Sequence, residues 1–226
     1  METLKTFRHE YKYRINYEDM LTLRQKLNKT LTIDRSFDGY LIRSLYFDSI
    51  EDTDYYDKLG GEINRKKIRL RIYEPNPKYV KLEIKAKYDN HQLKKSLIIT
   101  KDIANELIKE NYDILLNYDN EIAKEAYTIL RKGLYKPKII IEYTRIAYIT
   151  GTTTRITFDF NLKSSTNIES FFDEEINYND LSSKTDVVLE IKFDRFLEPY
   201  LSNILSSYGT RFESISKYVI GRNMEE

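Results

Sequence analysis

The chain has 226 residues, which is enough for one domain or two small ones with a substantial buried core. It has no cysteine and only two histidines, which excludes disulfide scaffolds, thiolate metal sites and zinc sites built from several histidines. Its 37 basic and 36 acidic residues nearly cancel, whereas a general nucleic-acid binder is usually more basic. Neither G-x-x-x-x-G-K nor G-x-G-x-x-G occurs, so P-loop and Rossmann chemistry are not expected.

The sequence contains no signal for targeting to or across a membrane. The first seven residues lack an apolar h-region, and no window approaches the roughly 18 apolar residues of a transmembrane helix. We therefore expect a cytoplasmic protein. A peripheral association with the membrane would then depend on a partner.

Eight segments alternate polar and apolar residues with a period of two, which predicts β-strands. The short connections at 89–90 and 150–151 predict antiparallel hairpins. The predicted strands are 7–15, 40–49, 63–73, 79–87, 92–99, 136–148, 153–162 and 186–193.

Helices are predicted between the strands. Asn16 is placed to cap a helix over 17–29, and Thr100 is placed to cap one over 101–110. The polar segment 163–185 is predicted to be a loop with a short helix at 167–172. No repeat or linker separates these elements, so we predict a single domain over 1–226. The remaining predicted helices are 112–132, 195–207 and 212–219.

Five strands carry charged side chains on one face and apolar side chains on the other. The most basic stripe is Lys67, Arg69 and Arg71 in segment 63–73, where each cation is followed by an apolar residue. The matching stripes on the other strands are Arg8, Glu10, Lys12 and Arg14; Lys81, Glu83, Lys85 and Lys87; Arg155, Thr157 and Asp159; and Glu190 and Lys192.

Two interpretations of these stripes remain open from the residues alone. An antiparallel sheet with one solvated face has this pattern, and so does a barrel with a charged lumen and helices outside. Converging Arg and Lys side chains favour a ligand with several phosphates, since one charge pair at 4 Å contributes about 4 kcal/mol at a dielectric near 20. Glu10 and Glu190 on the same stripes favour a divalent cation, which takes one or two carboxylates together with substrate phosphates.

At this point the chain resembles a known family, the CYTH-like triphosphate tunnel metalloenzymes, and within them the polyphosphate-polymerase domain of vacuolar transporter chaperones (VTC). The resemblance extends over about 7–221 and depends on the order and spacing of several short motifs. These motifs are F-R-H-E-Y-K-Y at 7–13, I-R-S-L-Y-F-D at 42–48, N-R-K-K-I-R-L-R-I-Y at 64–73, K-L-E-I-K at 81–85, K-P-K-I-I-I-E-Y-T-R at 136–145, V-L-E-I-K-F at 188–193 and S-K-Y at 216–218.

The resemblance implies an α+β fold: an eight-stranded antiparallel barrel, the triphosphate tunnel, with helices packed outside and a C-terminal helix. It also implies Mn²⁺ or Mg²⁺ as cofactor, held by Glu190 with Glu10 as a second candidate. The catalytic cations it implies are Lys12, Arg69, Arg71 and Lys85, and the further phosphate ligands are Lys58, Lys94, Arg145, Arg155 and Lys217.

The chain departs from the family pattern at Arg8 and Lys58, and the sequence leaves open how Arg145 and Lys94 are oriented. Arg8 replaces the first Glu of the usual E-x-E-x-K strand, which removes a carboxylate that could bind a second metal or activate water. Lys58 stands where the eukaryotic domain of the family that this chain resembles has an arginine. A lysine cannot form the bidentate pair of hydrogen bonds that an arginine forms with phosphate. Arg145 falls on the same face of its predicted strand as apolar residues. Either a bulge therefore reorients its side chain, or the residue lies beyond the barrel wall. Parity alone does not decide whether Lys94 or its neighbour Lys95 faces inward.

Three functions follow as hypotheses. The resemblance implies a polyphosphate polymerase that transfers the γ-phosphoryl of ATP to a growing chain and releases ADP. The alternatives are a hydrolase of triphosphate or nucleoside triphosphates, and a polyphosphate-binding module without turnover. We expect ATP and polyphosphate as ligands and no nucleic acid, and we leave open a membrane-protein partner that moves the polymer.

Overall fold

The computed structural model describes residues 8–88, 91–151, 154–183, 185–206, 208 and 213–224. It confirms the α+β class and all eight predicted strands, with ends shifted by up to three residues. The strands are β1 (Arg8–Asn16), β2 (Thr32–Asp34), β3 (Tyr40–Asp48), β4 (Arg65–Ile72), β5 (Val80–Tyr88), β6 (His91–Ile99), β7 (Lys136–Thr150), β8 (Thr154–Ser165), β9 (Asn179–Asp180) and β10 (Asp186–Asp194). The short strands β2 and β9 were not predicted.

The strands form one ten-stranded sheet with the order β1-β10-β8-β7-β3-β4-β5-β6; β2 pairs with β7 and β9 pairs with β8. The pairings with a defined register are antiparallel, as predicted. Within the described part of the chain, no ladder joins β1 to β6, so the sheet is not closed by hydrogen bonds into the predicted barrel. The correction concerns closure and strand number, while the strand connectivity is consistent with a tunnel-like fold.

The described part of the chain also contains six α-helices and two 3₁₀ helices, of which α5 and α6 follow the last strand. Asn16 accepts a hydrogen bond from the Asp19 amide and Thr100 from the Ile103 amide, so both predicted N-caps are confirmed. The helices are α1 (Tyr17–Leu27), α2 (Thr53–Leu59), α3 (Lys101–Ile108), α4 (Glu121–Lys132), α5 (Pro199–Leu205) and α6 (Lys217–Arg222), and the 3₁₀ helices are Tyr112–Asn117 and Ile168–Phe172.

Two helix predictions need correction, and one helix was missed. The helix predicted over 112–132 is two helices, because Asn120 caps α4 by accepting hydrogen bonds from the Ile122 and Ala123 amides. The helix predicted over 195–207 begins only at Pro199, a residue suited to the first helical position because it has no amide proton to satisfy. Helix α2 was not predicted. The predicted short helix at 167–172 is confirmed as a 3₁₀ helix.

Parts of several predictions lie outside the described residues. They are the first residue of the strand predicted from Phe7, the first of that predicted from Thr153, the turn at Asp89 and Asn90, and the start at Phe212 of the last predicted helix. The described part of that last helix begins at Lys217.

The chain divides into two compact units. The first unit comprises Met1–Leu41, Tyr143–Leu162 and Ser182–Ile215. The second unit comprises Ile42–Glu142, Lys163–Leu181 and Ser216–Glu226. Strands β3, β7 and β8 each contribute residues to both.

Each unit has its own hydrophobic core on the apolar face of its strands. In the first unit, α1 and α5 supply residues such as Leu23 and Leu201, which pack with strand residues such as Phe158 and Leu189. In the second unit, α3 and α4 pack residues such as Leu130 against β3 to β7. Helices therefore cover the apolar face in each unit, and the charged side chains of the strands occupy the other face.

None of the described helices is long and apolar enough to cross a lipid bilayer.

Substitution of Leu130 by Ala tests the core of the second unit. Leu130 is fully buried between α4 and the strands, so Leu130→Ala should lower the free energy of unfolding by about 2–5 kcal/mol. Urea unfolding followed by circular dichroism measures this change. The matched control is Leu116→Ala, since Leu116 is largely exposed and its loss should change stability by less than about 1 kcal/mol. Equal effects of the two substitutions would contradict the assigned core.

Candidate functional site

The charged face of the second unit is organised by the register of four neighbouring strands. Arg69 of β4 lies opposite Tyr46 of β3 on one side and Glu83 of β5 on the other. Glu83 in turn lies opposite Ser96 of β6, and Lys85 lies opposite Lys94. Because side chains of directly paired residues share one face of a sheet, the predicted basic stripe is brought together across the strands.

Glu83 is the centre of this group, which we call the cation cluster: Lys67, Arg69, Arg71, Glu83 and Lys94. Its carboxylate is fully buried and accepts a hydrogen bond of 2.8 Å from Arg69 Nε. Arg71 Nη1 lies 3.6 Å from the same carboxylate, and Lys94 Nζ lies 2.5 Å from its other oxygen. Burial alone would raise the pKa of the Glu83 carboxyl, but Arg69 and Arg71 outweigh burial and hold the pKa well below its usual range. Glu83 is therefore a permanent anion that fixes three cations.

The structure resolves which of the adjacent lysines faces the cation cluster. Lys94 pairs with Glu83, while Lys95 points to the opposite face and pairs with Glu125 of α4 at 2.5 Å. Successive residues of a strand alternate between faces, so the two lysines have different partners. Lys94 is thus the better placed phosphate ligand of the two.

Lys67 extends the cation cluster toward α6. Its Nζ donates a hydrogen bond of 2.7 Å to Ser216 Oγ and lies 5.2 Å from the centroid of the Tyr218 ring. Ser216 caps α6, so the next residue, Lys217, begins the helix beside this contact. Burial, opposed by Tyr46 and assisted by Lys58, lowers the pKa of Lys67 to about 8.

The predicted ligands of the second unit can now be placed. Arg69, Arg71 and Lys94 meet at Glu83, and Lys85 lies between Lys67 and Lys94 in the register of the sheet. Lys58 lies on α2 and contributes to the electrostatic environment of Lys67. Their roles as phosphate ligands remain predictions.

The first unit carries a second charged group, which we call the paired cluster: Glu10, Lys12, Arg145, Asp159, Glu190 and Lys192. Lys12 of β1 lies opposite Glu190 of β10, and Glu10 lies opposite Lys192. Lys12 Nζ is 2.8 Å from Glu10 and 3.9 Å from Glu190. Lys192 Nζ is 3.0 Å from Glu190 and 3.6 Å from Glu10. Each lysine therefore bridges the same two carboxylates.

These contacts fix the ionisation of Glu190 and Lys12. Burial would raise the pKa of the Glu190 carboxyl, but Lys192 and Lys12 hold it well below its usual range. Burial would lower the pKa of Lys12, but Glu190 and Glu10 outweigh burial and raise it. Both groups are charged at neutral pH.

Arg145 belongs to the paired cluster. Its Nε and Nη2 each lie 2.6 Å from a carboxylate oxygen of Asp159, and its Nη2 lies 3.5 Å from Glu190. Ile146 and Tyr148 are the core-facing residues of this part of β7, so Arg145 lies on the charged face. Of the two alternatives left open for Arg145, the position beyond the wall is wrong, because the core face of this segment carries the even-numbered residues.

Arg155 lies on the same face, opposite Lys192. Its Nη2 donates a hydrogen bond of 2.7 Å to Asp34 of β2 and one of 3.1 Å to the Tyr40 hydroxyl. The unpredicted strand β2 therefore supplies the anion that holds this predicted phosphate ligand.

The charge balance differs between the two groups. In the paired cluster three cations, Lys12, Lys192 and Arg145, contact three carboxylates, Glu10, Glu190 and Asp159. In the cation cluster three cations contact the single carboxylate Glu83. An anion therefore gains more from the cation cluster, whereas the paired cluster supplies carboxylate oxygens that suit a cation.

The residues of the paired cluster fit a divalent cation that shares its coordination with substrate. Glu10 and Glu190 are neighbours, since Lys12 Nζ and Lys192 Nζ each contact both carboxylates. The described residues contain no group of three or more acidic or histidine side chains arranged for a metal. Two carboxylates with the remaining positions filled by water and phosphate oxygens are the usual arrangement for Mg²⁺.

A cavity of about 590 Å³ opens in the second unit away from the cation cluster. Its lining includes Glu142, Asp173, Glu174 and Glu175, and it includes none of the predicted ligands. An acidic lining repels a polyanion, so this cavity is not the candidate site.

The sequence analysis singled out cations and two glutamates but not the groups that hold them. Glu83, Asp159 and Lys192 were noted as stripe members without a role, and Tyr46 was noted only within a motif. Parity along each strand was the signal that could have added them, because all four lie on the charged faces.

Comparisons with known proteins place the chain in a family. The family model described as "VTC domain" matches residues 7–225. A candidate adenylate cyclase from Vibrio parahaemolyticus has a similar structure, with a TM-score of 0.54, 15% identity and coverage of 95% of this chain and 97% of that one. A protein from Pyrococcus horikoshii has a TM-score of 0.50 at 13% identity, covering 96% and 98%. The comparison with curated proteins found no match.

Replacing Glu83 tests the arrangement of the cation cluster. Glu83→Gln keeps the shape but leaves buried guanidinium groups without their anion, so we expect a loss of about 3–5 kcal/mol in the free energy of unfolding at pH 7. Because the folded-state pKa of Glu83 is lowered, its stabilisation is present above the unfolded value near 4.5 and is lost as pH falls below it. The difference between the two proteins should therefore shrink between pH 5 and pH 2 in urea titrations.

The matched control for this prediction is Glu121→Gln, which removes an exposed carboxylate paired with Lys124. We expect no measurable change at either pH. A stability difference for Glu83→Gln that stays constant down to pH 2 would contradict the assigned ionisation.

Proposed function

Because the chain belongs to the VTC domain family, we propose that it is a polyphosphate polymerase, which transfers the γ-phosphoryl group of ATP to the end of a polyphosphate chain. In this reaction a terminal phosphate oxygen of the polymer forms a bond to the γ-phosphorus. The bond between that phosphorus and the oxygen bridging to the β-phosphate breaks, and ADP leaves. The family match over almost the whole chain supports a role in triphosphate chemistry, and the polymerase reaction is our proposal.

The observation that carries the proposal is the excess of positive charge in the cation cluster. Arg69, Arg71 and Lys94 share one buried carboxylate, Glu83, so the group has more positive than negative charge before any ligand binds. Arg69 and Arg71 are largely buried, which strengthens their interaction with an anion relative to that at an exposed surface. Phosphoryl transfer needs positioning and charge neutralisation more than covalent help from the protein.

The preorganisation of the arginines supports the same function. Glu83 accepts from both Nε and Nη2 of Arg69, and Tyr46 accepts from its Nη1. The guanidinium plane is therefore fixed before the phosphate arrives, so little reorganisation is needed when it binds.

In the proposed reaction the paired cluster would bind the divalent metal ion. Glu10 and Glu190 would hold Mn²⁺ or Mg²⁺, and a divalent cation supplies neutralisation of phosphate oxygens when bound. Lys12 and Lys192 keep the Glu190 carboxyl ionised, and Arg145 also contacts it. Glu190 would thus hold a cation without becoming protonated itself.

Replacing Arg69 tests the proposed reaction. With ATP and Mn²⁺, wild-type protein should give growing internal-phosphate signals in ³¹P NMR and an equal amount of ADP. Arg69→Ala should lower the rate of polymer formation by about 100-fold or more, because a charged donor to the transferred group is lost. The matched control is Arg131→Ala, which removes an exposed arginine paired with Asp113 and should leave the rate unchanged.

Two results with the wild-type protein would overturn the polymerase proposal. Release of orthophosphate and ADP without polymer would establish a hydrolase. Tight binding of triphosphate with no turnover under either metal would establish a binding module.

Replacing Glu190 tests the metal assignment. Glu190→Gln removes the more buried of the two carboxylates proposed to hold the metal, so the Mn²⁺ concentration needed for half-maximal activity should rise by about tenfold or more. Mn²⁺ binding measured by electron paramagnetic resonance gives a second readout. Glu213→Gln, which removes an exposed carboxylate paired with Arg14 in the same unit, is the control. An unchanged Mn²⁺ dependence in Glu190→Gln would show that this carboxylate is not a metal ligand.

A further inference from the structure

Tyr46 lies at the cation cluster, and the reaction proposed above gives its proton no role. The side chain is buried, and its hydroxyl oxygen accepts a hydrogen bond of 2.8 Å from Arg69 Nη1. In the described parts of the chain, this hydroxyl has no other hydrogen-bond partner. Its own proton is therefore available to a ligand that Arg69 holds.

The ring of Tyr46 is fixed in place. It stacks on the Tyr218 ring with centroids 5.1 Å apart and planes 24° apart. The Tyr218 hydroxyl donates a hydrogen bond of 2.5 Å to Asp48, which is fully buried. Because this packing fixes the plane of the Tyr46 ring, its hydroxyl group stays next to Arg69.

Positive charge surrounds the hydroxyl of Tyr46. Burial would raise its pKa, but Arg69, Arg71 and Lys67 outweigh burial and lower the pKa to about 8. The charged or titratable groups that face it are Lys67, Arg69 and Arg71 of β4, Tyr218 of α6, and Glu83 of β5 through Arg69. The other described tyrosines with a resolved shift have raised pKa values; they are Tyr13, Tyr40, Tyr112, Tyr135, Tyr178 and Tyr218.

We propose that Tyr46 is a further phosphate-binding residue, and that its ionised form competes with phosphate for Arg69. The neutral hydroxyl donates its proton to a phosphate oxygen bound beside Arg69. The phenolate instead pairs with the Arg69 guanidinium and occupies the place of that oxygen. This inference rests on the proposed function only in taking a phosphate chain as the ligand of the cation cluster.

The competition has a thermodynamic consequence. Bound phosphate neutralises the cations around Tyr46 and so raises its pKa, and by linkage the protein takes up a proton when phosphate binds above pH 8. The contribution of Tyr46 to affinity should fall by about tenfold between pH 7 and pH 9, since the fraction of neutral hydroxyl that can donate falls by about that factor when the pKa is about 8. Lys67 changes affinity in the same direction, so a variant at Tyr46 removes only part of the effect.

The test uses the full chain and inorganic tripolyphosphate without metal. Absorbance at 295 nm reports tyrosinate, and at pH 8.5 the ionised form of Tyr46 should predominate. Saturating tripolyphosphate should remove most of one tyrosinate equivalent from the wild-type spectrum. This measurement needs no variant and so does not depend on how a substitution folds.

The variant Tyr46→Phe tests whether Tyr46 is the source of the absorbance change at 295 nm. At pH 7 it should bind tripolyphosphate about tenfold more weakly by calorimetry, because a hydrogen bond to a charged oxygen is lost. By pH 9 the wild type should have lost this advantage, so the two affinities converge; the titration of tripolyphosphate itself cancels in this comparison. Tyr112→Phe is the matched control, since the Tyr112 hydroxyl donates to a backbone carbonyl in the core of the same unit. It should behave as wild type.

The outcomes separate this inference from the proposed function. Binding of tripolyphosphate without a change at 295 nm, or with the same change in Tyr46→Phe, would overturn the role of Tyr46 and leave the function standing. The expected change at 295 nm together with failure to make polymer from ATP would support Tyr46 and overturn the polymerase. Absence of any tripolyphosphate binding would overturn both.

Discussion

A single buried carboxylate organises the charged face of the second unit. Glu83 has no exposed surface, and the cations that surround it could not be buried without an anion among them. One carboxylate offsets only part of their charge, so the group is held together and still favours an anionic ligand. Stability and proposed binding thus depend on the same interaction. The positive charge of the cation cluster is only partly neutralised by Glu83, and a bound phosphate chain would neutralise the rest.

In the first unit, partly buried cations are neutralised more completely. There the carboxylates match the cations in number, and Lys12 and Lys192 bridge Glu10 and Glu190. A neutral group of this kind has little attraction for phosphate alone, but its oxygens suit a divalent cation. The second unit therefore carries an electropositive group, and the first unit carries a group in which acidic side chains match the basic ones.

Much of the fold could be predicted because alternation is a local property. Eight strands and two helix caps followed from residue patterns alone, while β2 and β9 did not, since two or three residues carry too little periodicity. At the site, parity identified the stripes, but partner choice depends on register between strands distant in sequence. The pairing of Lys94 with Glu83, and of Arg145 with Asp159, could therefore not be derived from spacing.

The adjacent lysines of β6 have a consequence for how that strand is held in place. If β6 slipped by one residue, Lys95 would face Glu83 and Lys94 would face Glu125, so both ion pairs could form again with exchanged partners. The energy of these two ion pairs would therefore change little if β6 slipped by one residue. The apolar residues decide instead, because Ile99 is buried in the core and Leu97 packs against it, whereas Ile98 between them is exposed. The ion pairs are compatible with either register of β6, and the packing of Leu97 and Ile99 in the core selects the observed one.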